Sequence, residues 1–256
     1  MKFPDFTLTG QFALITGAGQ GLGRGLALAM ANAGADIGVA DLPTNLAAAE
    51  ETAAEIAKLG RRARVIPVDV TVLPSITTMV EEMLAAFGKI DILVNNAGVN
   101  VPKLALEVTE RDWDRVLDVD LKGLFFCSQA VGRHMTQRGY GKIINIASQV
   151  GVVGYRYRAA YCSAKAGVVN LTRVLAIEWA EYGVNVNAIG PTFLRTPFTE
   201  PMFQNEEFYR DVLSRIPLQR IGEVDDVLGA AVFLASHAAD MVTGHTLLVD
   251  GGWTSI

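Results

Sequence analysis

The sequence predicts a single α/β domain, a doubly wound parallel sheet of seven strands with helices on both faces. Three observations carry this expectation. Short Val- and Ile-rich runs alternate with longer segments of helical period along nearly the whole chain. Runs such as Ile143–Ala147 are apolar almost without alternation, as a sheet covered on both faces requires. Finally, the 256 residues, 50% hydrophobic and 19% charged, are divided by no Pro/Ser-rich linker, charge block, low-complexity stretch or internal repeat. One domain over residues 1–256 with a large buried core follows.

The elements can be justified in order. Phe12–Thr16 is the first strand; a glycine-rich turn leads into a helix over 22–33, which Gly34 ends. Asp36–Asp41 is the second strand, and Thr44 stands where the cap of a helix over 44–59 belongs, with Gly60 after it. Arg64–Asp69 is the third strand, and Pro74 opens a helix over 74–87, stopped by Gly88. The fourth, fifth, sixth and seventh strands are Ile90–Asn95, Lys142–Ser148, Val184–Ile189 and Thr246–Asp250. Helices over 109–137, 159–182 and 223–235 lie between them, Gly183 standing after the second of these. The exception to this regularity is 191–217, with four prolines and the aromatics Phe193, Phe198, Phe203 and Phe208. A long irregular connection is expected there, serving as a substrate lid or as a subunit contact.

Composition narrows the function. The net charge is −5 and the densest basic cluster is only Arg61-Arg62, so no field attracts a nucleic acid. The first ten residues lack the basic start and apolar core of a signal peptide, and no apolar run reaches the ~18 residues of a membrane span. A soluble cytoplasmic protein without membrane partners is expected. Cys127 and Cys162 fit no C-x-x-C or zinc spacing and are read as reduced packing residues. His134, His237 and His245 are scattered, and neither H-E-x-x-H nor G-x-S-x-G occurs, so no metal site is expected.

The chemistry concentrates at the strand ends. Thr16–Gly23 reads T-G-A-G-Q-G-L-G between the first strand and the first helix. Glycines in that place allow a tight turn and bring backbone N–H groups at the positive end of a helix against a pyrophosphate. The strict G-x-G-x-x-G spacing is absent, and so is a P-loop, so alone this is compatible with a plain β–α turn. Asp41 ends the second strand, 18 positions beyond Gly23, where a carboxylate would accept hydrogen bonds from an adenosine ribose, unless it merely caps the next helix. It would repel a 2′-phosphate, and Leu42-Pro43 supplies no arginine to bind one, so NAD is expected over NADP. Later strands end in Asp69-Val70, Asn95-Asn96-Ala97-Gly98, Ser148 and Gly190-Pro191-Thr192, all of which converge on the crevice at the carboxyl edge of such a sheet. Tyr161 and Lys165 stand four residues apart, on one face of the helix that follows Ser148. A phenol of pKa ~10 is a poor base, but a nearby ammonium and an oxidised nicotinamide would favour the phenolate. Tyr161 would then take or return the proton of an alcohol that Ser148 positions. The plain alternative is a packing tyrosine beside a solvated lysine. Tyr155 and Tyr157 have Ala159 and Tyr161 four residues on, and so lack the lysine.

This combination resembles the short-chain dehydrogenase/reductase family over nearly the whole chain, with a single-domain Rossmann fold. Its T-G-x-x-x-G-x-G is Thr16–Gly23, its N-N-A-G is Asn95–Gly98, its serine is Ser148 and its Y-x-x-x-K is Tyr161–Lys165. The resemblance implies a catalytic set of Ser148, Tyr161, Lys165 and Asp120, with Lys165 lowering the pKa of Tyr161. It implies cofactor contacts from Gly17, Gly19, Gln20, Gly21, Leu22 and Gly23, and from Asp41 and Leu42 at the ribose. Asp69 and Val70 would flank the adenine, and Asn95, Ala97 and Gly98 would lie along the cofactor. Pro191, Leu194 and Thr196 would meet the nicotinamide carboxamide, and Tyr161 and Lys165 would serve binding as well as catalysis. Two departures stand out. Asp120 occupies the place of the family's V-N-x-x-G asparagine, which supports a water chain for proton relay, and Thr192 replaces the glycine usual after Pro191. The resemblance further implies an NAD-dependent oxidoreductase acting on a secondary alcohol or ketone. Sugar, sugar-acid and polyol dehydrogenases, such as gluconate 5-dehydrogenase-like members, look most similar, with Arg156, Arg158 or Arg195 available to a polar substrate. A 3-oxoacyl-thioester reductase is the alternative enzyme, and a dinucleotide-binding sensor or scaffold the alternative outside catalysis. A homotetramer is implied, joined through helices near 109–137 and 159–182 and through the C-terminal region with Gly244 and Asp250–Trp253.

Overall fold

The computed structural model describes residues 3–255. Its strands are β1 Phe12–Thr16, β2 Asp36–Asp41, β3 Ala63–Pro67, β4 Ile92–Asn95, β5 Gly141–Ile146, β6 Val184–Pro191 and β7 Thr246–Val249. All pair in parallel in the order β3-β2-β1-β4-β5-β6-β7. The order reverses between β1 and β4, the switch point where an open α/β sheet leaves a crevice at its carboxyl edge. Every residue of β2 and β5 is buried, as expected of strands covered on both faces.

The helices are α1 Gly21–Asn32, α2 Leu46–Lys58, α3 Leu73–Phe87, α4 Glu110–Leu117, α5 Leu124–Arg138, α6 Ala159–Trp179, α7 Glu200–Phe203, α8 Glu206–Ser214 and α9 Asp225–Ala235. Leu26 and Met30 of α1, Ile56 of α2 and Val227 and Leu234 of α9 fill the core on one face of the sheet. Met79 and Met83 of α3, Val131 and Met135 of α5 and Leu175 of α6 fill it on the other. Gly88 and Gly139 take left-handed φ of 79° and 72° at the ends of α3 and α5, where a β-carbon would be strained. No helix among the described residues is long and apolar enough to cross a membrane. Both cysteines are free.

Two expectations need correction. The long helix over 109–137 is divided: α4 and α5 are joined by a π turn, Asp118–Gly123. The wider turn keeps the apolar spacing of a helix, so the sequence pattern does not betray it, yet it aims Asp120 inward. The 191–217 segment is not irregular throughout, because α7 and α8 form within it; the Asn205 side chain caps α8 by accepting the Phe208 N–H at 3.0 Å. Its aromatics divide between surface and core: Phe198 is 57% exposed. Phe203 is buried, and Phe193 and Phe208 pack with it against Trp253 and Tyr155. Trp253 therefore packs within its own chain and is only 5% exposed.

Candidate active site

At one end of the crevice the glycine turn and the β4 end form a single unit. Gly17 and Gly21 adopt left-handed φ of 67° and 54°, and a Cβ on Gly23 would overlap the carbonyl oxygen of Gly17. Asn96 Nδ2 donates to the carbonyls of Thr16 and Gly17, both at 3.0 Å. Thr16 Oγ1 accepts the backbone N–H groups of Asn96 and Ala97, both at 3.1 Å. The first turn of α1 is left electrostatically open. Gln20 precedes it without making a capping bond, and no acidic side chain lies in it, so its free N–H groups and the positive helix end suit an anionic pyrophosphate.

Asp41 closes this end. Its Oδ2 accepts the Gly19 N–H at 2.7 Å, and its Oδ1 accepts the Leu42 N–H at 2.8 Å and the Asn45 side-chain amide at 3.0 Å. A Cβ on Gly19 would come within 2.9 Å of that carboxylate. The cavity beyond, about 490 Å³, has only two basic side chains in its wall, Arg158 and Lys165. Both act electrostatically on Tyr161, at the far end from Asp41.

Ser148 lies just beyond β5 and caps the short turn Gln149–Gly151, its hydroxyl donating to Gln149 Oε1 at 2.6 Å. Tyr161 sits in the first turn of α6, facing Ser148, and Lys165 one turn further on. Lys165 Nζ donates to the Ile146 carbonyl at 2.9 Å and lies 5.5 Å from the centre of the Tyr161 ring. It also lies 3.0 Å from Asp120 Oδ1, in a contact without the alignment of a hydrogen bond. Asp120 is fully buried in the π turn, and its Oδ2 accepts the Val99 N–H at 2.9 Å. A Cβ on Gly98 would come 2.9 Å from Asp120 Oδ1, so the glycine of N-N-A-G makes room for this carboxylate.

Burial governs the protonation of this group. It pushes the Asp120 carboxyl above its ordinary range, against the opposing pull of Lys165 and the Val99 N–H. Burial by itself would lower Lys165, but the facing Asp120 and Tyr161 carry it upward. Tyr161 is raised: burial is the largest cause and Asp120 adds to it, while Lys165, Arg158 and Ser148 pull the other way. Lys165 lowers the phenol, as expected of it, but the net shift without a nicotinamide is upward. Asp120 partly neutralises the ammonium, and desolvation outweighs it.

Of the expected site residues, Gly17, Gln20, Gly21, Leu22, Gly23, Asp41, Leu42, Asp69, Val70, Ala97, Gly98, Asp120, Ser148, Tyr161, Lys165, Pro191, Leu194 and Thr196 line the one cavity. Gly19 and Asn95 do not. Gly19 stands behind Asp41. Asn95 is buried beneath the site, its amide donating to Ser128 Oγ at 2.8 Å and Asn145 Oδ1 at 2.9 Å, so its side chain braces β4 against β5. Asn45, Asn100 and Gln149 also line the wall, and no motif or period in the sequence marks them. Among the three arginines held available to a substrate, only Arg158 lines the cavity. Arg195 pairs with Glu200 at 3.1 Å and Glu223 at 3.6 Å, and Arg156 is exposed. Tyr155 is committed elsewhere, its hydroxyl donating to Asp211 Oδ2 at 2.7 Å.

A family model described as enoyl-(acyl carrier protein) reductase matches residues 17–254. The chain belongs to the short-chain dehydrogenase/reductase family. The 2-dehydro-3-deoxy-D-gluconate 5-dehydrogenase of Dickeya dadantii is 42% identical to this short-chain dehydrogenase/reductase over 249 residues, 97% of each chain. The NAD-dependent glycerol dehydrogenase of Listeria innocua is 38% identical over 250 residues, 98% of this chain and 96% of its own. A solved gluconate 5-dehydrogenase from Burkholderia cenocepacia, in complex with NADP and tartrate, superposes with a TM-score of 0.94 at 39% identity, covering 99% of this chain and 98% of that one. As a member of the short-chain dehydrogenase/reductase family, the protein is an oxidoreductase acting on CH–OH groups of small molecules with a dinucleotide cofactor.

Proposed function

We propose that the protein is an NAD-dependent dehydrogenase of a sugar, sugar acid or polyol, oxidising a secondary alcohol or reducing the matching ketone. One observation carries this reading: Ser148, Tyr161 and Lys165 meet at one end of a cavity whose other end is closed by Asp41. When bound, the nicotinamide accepts or gives the hydride of the carbinol carbon and, in its oxidised form, adds a positive charge. The chain handles the proton and the orientation. Tyr161 Oη takes the proton of the substrate hydroxyl during oxidation and returns it during reduction. The Ser148 hydroxyl turns from Gln149 Oε1 to donate to the same oxygen, so that two donors stabilise the alkoxide as charge develops on it. Lys165, held by the Ile146 carbonyl and Asp120, keeps a positive charge beside the phenol. Asp41 selects NAD, because its carboxylate accepts ribose hydroxyls and repels a 2′-phosphate, and the two basic side chains of the wall lie too far along it to compensate.

Two further features belong to the same reading. The protein works in a reducing cytoplasm as a homotetramer. In support of assembly, Ile177 and Val174 on α6 are 79% and 41% exposed, next to an apolar hollow lined by Leu121, Phe125 and Leu171. Steady-state reduction of NAD and NADP by sugars, sugar acids and polyols, together with oxidation of NADH and NADPH by keto acids and 3-oxoacyl thioesters, tests the assignment. Turnover of a polyhydroxy compound with NAD at least tenfold preferred is the expected result. Turnover confined to 3-oxoacyl thioesters with NADPH would overturn it.

A further inference from the structure

Arg158 is the residue that precedes α6, three positions before Tyr161, and it is only 6% exposed. Its backbone is pinned. Tyr157 adopts a left-handed φ of 64°, its carbonyl accepts the Lys103 N–H at 3.1 Å, and Lys103 and Arg158 form an isolated parallel bridge. The side chain then enters the wall of the cavity that holds Tyr161. A guanidinium has five N–H donors, yet the polar contacts of Arg158 are the Tyr157 carbonyl at 3.4 Å and Met202 Sδ at 3.9 Å, both weak. Other arginines around it are satisfied: Arg195 by Glu200, Arg215 by Asp211 and Arg220 by Asp226. Among the described residues Arg158 has no carboxylate partner, and a buried cation without one is costly unless a ligand supplies it.

Two neighbours in the wall share this incompleteness. Asn100 Oδ1 and Thr192 Oγ1 are buried oxygens without a hydrogen-bond partner among the described residues. Both suit hydroxyl groups. The unpaired cation does not belong to the nucleotide end, which Asp41 occupies, because Arg158 and Tyr161 are close enough to influence each other's charge. The other cation of the wall, Lys165, is already held by Asp120 and the Ile146 carbonyl. A single free guanidinium matches a monoanion, and its planar fork matches a carboxylate.

We propose that Arg158 anchors the carboxylate of the substrate, so that the substrate is a polyhydroxy acid rather than a neutral polyol, with its hydroxyls toward Asn100 and Thr192. The proposal rests on the dehydrogenase reading of this cavity and names its substrate class.

The experiment compares kcat/KM for aldonates and ketoaldonates with that for the alditol of the same carbon chain, D-gluconate against D-sorbitol among them, in the wild type, R158L and R158K. The wild type favours the acids. The acid-to-alditol ratio falls on the order of 100-fold in R158L, mostly through KM, and R158K restores part of it. Equal losses for acid and alditol in R158L, or a wild type that oxidises only alditols, would overturn the anchor and leave the dehydrogenase reading intact. Calorimetric titration of Tyr161→Phe and of Tyr161→Phe/Arg158→Leu with the same acids reads the subsite apart from turnover. Binding that depends on Arg158, in a protein whose wild type oxidises none of the panel, would overturn the dehydrogenase reading and leave the anchor standing.

Discussion

Asp120 Oδ1 lies 3.0 Å from Lys165 Nζ, with both side chains almost wholly withdrawn from water. The pair sets the charge felt by Tyr161, because a facing carboxylate raises both the lysine and the phenol while the lysine lowers the phenol. Replacing Asp120 by Asn removes the anion that raises Tyr161 and also one of the two groups that raise Lys165, whose ammonium keeps the Ile146 carbonyl and Tyr161 beside it. The phenol pKa then falls, and the rising limb of log kcat/KM against pH for alcohol oxidation moves to lower pH. A limb that stays in place or moves to higher pH would show that Asp120 does not act on Tyr161.

The same relationship shows where the sequence could and could not be read. The seven strands, their direction and the meeting of Tyr161, Lys165 and Ser148 follow from apolar runs and fixed spacings, which local physics determines. Asp120 was legible as a departure from the V-N-x-x-G pattern, but its partner was not: the π turn that aims it at Lys165 leaves the helical apolar spacing intact. The helices within 191–217 escape the sequence for a related reason. Prolines in 191–217 argue for irregular chain, while α8 forms from Asn205 capping and from burial of Val212 against a distant Trp253, a tertiary effect outside any local window. The side-chain partners of Asn95, Ser128 and Asn145, lie 33 and 50 positions away, outside what its motif reveals.

Tyr161→Phe removes the only proton-exchanging oxygen that the proposed reaction uses and keeps the ring over which Lys165 lies. Turnover should fall by about 10²–10⁴-fold. Fluorescence titration should still detect NADH binding, since the glycine turn and Asp41 are untouched. Full activity in this variant would sink the Tyr161 mechanism outright.

Cofactor choice rests on charge at a single position. Asp41→Asn keeps an oxygen to accept the Leu42 or Gly19 N–H but removes the repulsion of a 2′-phosphate. The ratio of kcat/KM with NAD to that with NADP should drop by about 10–100-fold, the size expected when one charge-assisted hydrogen bond is lost and one repulsion relieved. An unchanged ratio would transfer selectivity to another part of the wall, with Asn45 the first place to look.

The 191–217 segment packs on Trp253. This side chain is 5% exposed and packs against Tyr155 and Phe193, with ring centres 5.5 Å and 5.8 Å away. Arg215 lies over both Trp253 and Tyr155 and pairs with Asp211, which also accepts the Tyr155 hydroxyl. Trp253→Ala leaves a cavity that these rings cannot fill and should cost about 3–5 kcal/mol. In a chain of this size that corresponds to a fall in Tm of roughly 10 °C. Because α7 and α8 lean on the same cluster, KM for the polar substrate should rise by more than KM for NAD, whose contacts at Asp41 and the glycine turn lie at the other end of the cavity. Differential scanning calorimetry and paired KM measurements check the two halves; an equal rise in both KM values would mean that Trp253 supports the domain as a whole rather than the 191–217 segment.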